Sequence, residues 1–341
     1  MRNRIELLTL NRRAWLRSLA AAFFFPAQTR TPRNRAAWQQ ARTATLAAMQ
    51  RVMGDLPIRS KQSVEIETLE REDLPAFTRT KLRYLSEPGD YVPAYLLMPK
   101  RLQRRAPAML CLHQTIKIGK AEPAGLGGNP QLHYAKELAE RGFVCLAPDY
   151  PYLGENSFDP YQHGYASCTL KGIVNHRRAV DLLQSLPQVN AQRLGVIGHS
   201  LGGHNALFVA AFDERLKAVV TSCGFTSFGK YYHGDLTGWD GIRYMPRIAE
   251  QFGKDPARMP FDFPDVLSAL APRPLFINAP LRDANFEVSG VRDCVAVAQP
   301  IYEKVFRAMG RLQAVYPDAA HSFPDETRTQ AYGFLERWLM R

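Results

Sequence analysis

No run of about 20 apolar residues occurs in this chain, so no transmembrane helix is expected. No C-x-x-C pair occurs either. The five cysteines, Cys111, Cys145, Cys168, Cys223 and Cys294, are widely spaced and odd in number, which argues against a disulfide scaffold. Three of them, Cys111, Cys145 and Cys223, lie in or beside apolar runs, where cysteine acts as a small hydrophobe. The eight histidines show no H-E-x-x-H or comparable spacing, so neither a metal site nor a cofactor is expected. No internal repeat or low-complexity tract is visible. Lysine is missing from the first 60 residues, which hold eleven arginines against Glu6 and Asp55. That segment therefore carries +9 of the net +12, and the other 281 residues carry +3. A nearly neutral body does not support a nucleic-acid footprint or a membrane-binding surface there.

What is present at the N-terminus has its own reading. The stretch NRRAWLRSLAAAFFFPAQ places Arg12-Arg13 before Trp15 and Leu16, with a short apolar run from Leu19 to Phe25. It resembles a twin-arginine export signal, an address read by a receptor. Residues 1–30 are expected to be that signal, which would place the mature protein in the periplasm or outside the cell. The alternative is a basic amphipathic helix on a cytoplasmic protein. Such cargo folds before export, so unpaired thiols fit the route.

Apolar residues make up 46% of the chain and charged residues 22%, the balance of a globular domain. Residues 31–60 read as a helical segment built on AAWQQARTATLAAMQRVM, which breaks at Gly54 and Pro57. Residues 61–341 read as one domain. Alternating patterns over 63–98 predict antiparallel strands. From 107 the texture changes to continuous apolar runs, PAMLCLHQ and FVCLAPDY, suited to strands buried on both faces. Helices are expected near 131–141, 167–186, 201–212, 295–309 and 326–340. Strands are expected at 193–197, 216–222, 274–279 and in LQAVYP. Alternating strands and helices predict an α/β fold, a mostly parallel mixed sheet with helices on both faces. Residues 224–265 interrupt the rhythm as an insertion.

The stretch RLGVIGHSLGGHNALF carries the chemistry. Gly198-His199-Ser200-Leu201-Gly202 fits G-x-S-x-G between a buried strand and a helix of good formers. A turn that tight pushes the serine side chain out above the sheet, and glycines at i−2 and i+2 admit the close approach. The partners should follow in the order acid, then histidine. His321 lies in YPDAAHSFP, just after the last strand, whereas its rival His233 lies in the insertion. Asp283 lies just past strand 274–279, where loops at carboxyl ends of strands converge. The rival Asp318 is three residues from His321 and reads as a brace for that loop. The expected triad is Ser200, Asp283 and His321. One oxyanion donor is the N–H of Leu201. The other is the N–H of Gln114 or Thr115, in the loop after PAMLCLH.

These residues carry a resemblance. CLHQT (111–115), LAPDYPYLGE (146–155), GHSLGG (198–203), PRPLFINAPLRD (272–283) and DAAHSFP (318–324) resemble the α/β-hydrolase superfamily, and within it the dienelactone-hydrolase and acetyl-xylan-esterase-like branch. The resemblance spans about residues 107–324. It implies the α/β-hydrolase fold and acyl transfer to water through a serine ester, with the same triad. Dienelactone hydrolases proper use a cysteine nucleophile, and this chain has serine. His113-Gln114 also stands where His-Gly is commoner. Both departures point away from a dienelactone substrate.

The insertion holds nine aromatic residues between Phe225 and Phe263, mixed with charged residues. By resemblance this is where a cap sits. Rings plus polar neighbours suit a sugar-like or other small polar ester, and Tyr232 and Trp239 are named as substrate contacts. The expected function is a serine carboxylic-ester hydrolase acting on acetylated carbohydrate or a similar small-molecule ester, with no nucleic-acid partner. The alternatives are a serine peptidase of the prolyl-oligopeptidase type and a non-catalytic binding protein on the same scaffold. The first would need a propeller of several blades before the sheet, which fewer than 110 residues do not supply. The second is opposed by the intact serine, acid and histidine.

Overall fold

The structure, a computed structural model, describes residues 31–59, 62–102 and 104–340. The expected export signal at 1–30 lies outside the described residues. The chain opens with helix α1 (Arg35–Met53), whose N-terminus is capped by the Asn34 side chain accepting from the Ala37 N–H. Three antiparallel strands follow, β1 (Ile66–Asp73), β2 (Phe77–Glu87) and β3 (Asp90–Pro99). The parallel part comes next: β4 (Ala106–Leu112), α2 (Tyr134–Glu140), β5 (Val144–Pro148), α3 (Cys168–Ser185), β6 (Val189–His199), α4 (Leu201–Phe212) and β7 (Leu216–Ser222). The insertion holds short 3-10 turns and one four-residue helix, α5 (Arg247–Glu250). The fold closes with α6 (Phe263–Leu270), β8 (Leu275–Asn278), α7 (Val288–Pro300), β9 (Leu312–Val315) and α8 (Asp325–Leu339).

The nine strands form one sheet in the order β1-β2-β3-β5-β4-β6-β7-β8-β9. Every pair from β5 to β9 is parallel, and the pairs from β1 to β5 across β3 are antiparallel. The apolar runs explain this. β4 and β5 are buried along their whole length, as strands covered by helices on both faces must be. β1 is the opposite case: every residue is exposed, and its acids pair across to β2, as in Glu67–Arg83 at 2.6 Å. A charged outer strand keeps that edge from pairing with another chain.

The order places the chemistry. The chain leaves β4 toward β5 on one side and returns to β6 on the other, so a crevice opens beyond the carboxyl ends of β4 and β6. Ser200 follows β6 there, and the 113–115 loop follows β4. The loops after β8 and β9 come to the same edge because those strands are parallel to β7.

Two elements depart from expectation. α7 begins at Val288, not near 295, and passes into a π turn at Ile301–Val305. Gly290 and two valines lower the local helix propensity, but tertiary contact demands that glycine. A Cβ there would meet the Thr226 hydroxyl at 2.1 Å. α6 starts inside the expected insertion, so the boundary at 265 cuts a scaffold helix. Its signal was legible: Asp262 and Asp265 form a capping box around Pro264.

Candidate active site

The turn between β6 and α4 has the geometry the motif predicts. Ser200 sits at φ 53°, ψ −117°, a region that non-glycine residues seldom occupy. It is held there by its own N–H donating to Ser222 O at 2.9 Å, and by Gly203 and His204 N–H donating to Ser200 O. The glycines are demanded by backbone, not by side chains. A Cβ on Gly198 would come 2.2 Å from Gly202 O, and one on Gly202 would come 1.9 Å from Leu112 O. Gly202 thus lets the start of α4 press against the end of β4. Gly202→Ala is expected to cost stability outright, by about 3 kcal/mol or more, because rigid backbone cannot move aside. A thermal melt checks this, and a melting temperature equal to wild type would contradict the elbow geometry.

The loops after β8 and β9 run together. Leu281 N–H donates to Pro317 O at 2.9 Å, and Arg282 N–H donates to Ala319 O at 3.0 Å. This ladder brings Asp283 beside His321, whose Nδ1 lies 3.0 and 2.9 Å from the two carboxylate oxygens. The Asp283 side chain is 1% exposed and that of His321 is 22% exposed. Burial pushes the Asp283 carboxyl upward. The His321 hydrogen bond and charge, with the N–H groups of Asn285 and Phe286, together outweigh it and hold the carboxyl below its ordinary value. Phe286 and His199 pack against the His321 ring, at centroid distances of 5.9 and 4.8 Å. No hydrogen bond joins Ser200 Oγ to His321 among the described residues. Such contacts are often long before substrate binds.

The rivals lie elsewhere. His233 is exposed in the insertion. Asp318 is exposed and pairs with Arg282, bracing the loop as expected.

The loop after β4 is anchored at three points. His113 Nε2 accepts the Tyr150 N–H at 3.0 Å, so its Nδ1 carries the proton and donates to Gln114 O at 2.6 Å. Burial lowers the His113 pKa, which keeps that tautomer neutral. Gln114 Nε2 donates to both Glu122 oxygens at 3.0 Å, and Thr115 Oγ1 lies 3.2 Å from Tyr244 OH. Beneath the loop, buried Lys120 bridges Asp149 at 2.6 Å and Glu155 at 2.8 Å. Apart from the place of His113 at a strand end and of Asp149 in LAPDY, nothing in the local residue pattern marks these anchors. Leu201 N–H, at the first position of α4, has no acceptor among the described residues.

The expected substrate contacts part ways. Tyr232 is 51% exposed, and its hydroxyl donates to Asn285 Oδ1 at 2.8 Å, near the acid loop. Trp239 is a correction: it is 2% exposed and packs edge-on to His204 and Tyr244. It joins Phe225, Phe228, Phe261 and Phe263 in the core, so most rings of the insertion are packing. Density of aromatics signals buried area first. All five cysteines are free and buried. His199, Cys223 and His321 bring potential ligand atoms within 4.8 Å of one another. Each is engaged otherwise: His199 with Ser222, His321 with Asp283, and Cys223 with Ser322 O and the Asn278 amide. Burial also pushes the Cys223 thiol up, away from the thiolate a metal would need.

Comparison with known proteins agrees with this architecture. Residues 107–269 match the model of a family described as "alpha/beta hydrolase fold". The chain is 26% identical over 303 residues to a protein of Bacillus subtilis named "Putative hydrolase YtaP", covering 85% of this chain and 97% of the other. Among solved structures it superposes on a glucuronoyl esterase from Solibacter usitatus with a TM-score of 0.68 at 17% identity, covering 92% and 98% of the two chains. It also superposes on acetyl xylan esterase 1 from Thermoanaerobacterium sp., with a TM-score of 0.57 at 15% identity, covering 91% and 95%.

Proposed function

We propose that this chain, a member of the α/β-hydrolase superfamily by fold, hydrolyses carboxylic esters through a serine acyl-enzyme. The observation that carries the reading is the buried Asp283–His321 pair at the sheet edge where the strained Ser200 turn ends. Asp283 holds the His321 proton on Nδ1 and leaves Nε2 as the base. Nε2 takes the Ser200 hydroxyl proton as Oγ attacks the ester carbonyl carbon. The tetrahedral oxyanion collapses, the carbon–oxygen bond to the alcohol breaks, and His321 returns the proton to the departing oxygen. Water then attacks the acyl-enzyme by the same route, releasing the acid and restoring Ser200.

Peptide geometry favours Thr115 over Gln114 as the second oxyanion donor. In a planar trans peptide the C=O and N–H point oppositely. Gln114 O is turned onto the His113 ring, which lies on the β5 side against Tyr150. The Thr115 N–H of that peptide therefore points away from the His113 ring and the β5 side. His113 O lies toward Gly202, 2.8 Å from where its Cβ would be. That turns the Gln114 N–H away from α4.

For substrate, we favour acetylated carbohydrate or another small polar ester. The support is the carbohydrate-esterase neighbours together with a rim that mixes rings and hydrogen-bonding groups, Tyr232, Asn285, Thr115 and Tyr244. The test is a series of p-nitrophenyl acetate, butyrate and octanoate, followed by acetylated and glucuronoyl sugars. Turnover is expected to fall steeply from acetate to octanoate. A preference for octanoate would overturn the small-acyl reading. Export through the twin-arginine-like segment belongs to the same proposal, and cell fractionation with Arg12-Arg13 replaced by lysines tests it.

A further inference from the structure

Three polar side chains end three neighbouring strands. His199 closes β6, Ser222 closes β7 and Asn278 closes β8, and they stand in one register row, His199 opposite Ser222 and Ser222 opposite Asn278. All three are buried, at 1%, 0% and 1% exposure. The Asn278 amide donates to Ser222 Oγ at 2.8 Å and to Ser322 O at 2.9 Å. Ser222 Oγ lies 2.8 Å from His199 Nδ1. His199 precedes Ser200, and Ser322 follows His321. One buried chain of hydrogen bonds therefore joins the neighbour of the proposed nucleophile to the neighbour of the proposed base.

The direction at the Asn278 end of this chain is determined. Turning the Asn278 amide over would set its oxygen against Ser322 O, acceptor to acceptor, so the nitrogen faces Ser322. With both amide protons given away, Ser222 accepts one, and its own hydroxyl proton goes either to His199 Nδ1 or to Cys223 Sγ, 3.9 Å away. The ring of His199 carries its one proton on Nε2 in the first case and on Nδ1 in the second. Burial pushes its pKa down to about 3, so the ring beside His321 stays uncharged. Asn278 Oδ1 is left without a partner among the described residues. A buried, unpaired amide oxygen is a cost that an apolar side chain at this strand end would avoid. What the amide supplies is the shorter tie to the His321 loop, 2.9 Å to Ser322 O against 3.4 Å from Cys223 Sγ to the same oxygen.

We propose that Asn278 is a positioning residue: it sets the separation of Ser200 and His321 by tying the His321 loop to the His199–Ser222 row. The inference rests on the esterase reading above. Misplacing a reacting group by about 1 Å can cost 100-fold. In Asn278→Ala, kcat for p-nitrophenyl acetate is expected to fall roughly 10- to 100-fold with KM held within about twofold. The rate of Ser200 labelling by a fluorophosphonate should fall in parallel, since it needs the same activated hydroxyl. Ser222→Ala keeps the Ser322 tie and should lose less. The double variant should be no slower than Asn278→Ala, because the chain acts as a unit.

A folded Asn278→Ala protein with unchanged kcat, or with a raised KM alone, overturns the proposal. So do losses that simply multiply in the double variant. If Asn278→Ala does not fold, Ser222→Ala decides: a several-fold lower kcat at constant KM supports the chain, and an unchanged kcat overturns it. A wild-type protein without Ser200-dependent hydrolysis or labelling overturns the esterase reading and this inference together. An active wild type with an indifferent Asn278 overturns this inference alone.

Discussion

Replacing Ser200 by alanine is expected to lower hydrolysis of p-nitrophenyl acetate by about 10⁴-fold or more while leaving the protein folded. The loss is large because, among the described residues, no other hydroxyl or thiol follows β6 on a strained turn beside the Asp283–His321 pair. Cys223, the nearest candidate by chemistry, is buried with its thiol pushed away from ionisation. The fold should survive for two reasons. Ser200 Oγ makes no hydrogen bond among the described residues, so its removal orphans no partner. Alanine also carries a Cβ, so the backbone strain at φ 53° is the same before and after. The elbow is held by its N–H to Ser222 O and by the glycines around it, none of which change. The measurement is initial rate with purified protein, paired with a thermal melt. A folded variant with full activity would remove Ser200 from the chemistry.

The parts of this site that were legible from sequence are those set by local rules. The elbow needs glycine at two spacings, and a strand and helix on either side, and all of these are written within about a dozen residues around Ser200. His321 and Asp283 were legible by position, each just past a strand that ends at the crevice. The rest depends on pairings far apart in the chain. Nothing near Asn278 in sequence names Ser322 or Ser222, which are 44 and 56 residues away. Thr115 meets Tyr244 across 129 residues. The burial of Trp239 is not legible for a related reason: composition shows that a segment is aromatic, not which rings turn inward. The early start of α7 was hidden because Gly290 weakens a helix locally and is required only by the approach of Thr226.

Asp283→Asn is expected to be more damaging than Asp283→Ala, although asparagine is the closer match in shape. Asp283 Oδ1 accepts the N–H groups of Asn285 at 2.8 Å and Phe286 at 3.1 Å. In the asparagine variant those two donors require the oxygen, so the NH2 group is turned toward His321. It can only donate, so a protonated Nδ1 would meet an N–H at 2.9 Å and keep only Oδ1, already shared by two N–H groups, at 3.0 Å; Nδ1 is therefore expected to accept. The ring proton moves to Nε2, the nitrogen that has to receive the Ser200 proton. The base is held firmly in the wrong tautomer, with a loss of roughly 10⁴-fold in kcat. Alanine leaves the imidazole less well oriented but free to exchange tautomers, so part of the activity should remain. The stability of the two proteins differs in a pH-dependent way. The Asp283 carboxyl is held below its ordinary value, so the ionised form stabilises the fold above the usual carboxylate range. That contribution is lost as pH falls through the lowered value. Melting temperatures of wild type and Asp283→Asn should therefore converge toward acid. Rates for both variants at neutral pH decide the main point. If Asp283→Ala is as slow as Asp283→Asn or slower, orientation and charge govern the site, and the tautomer argument is wrong.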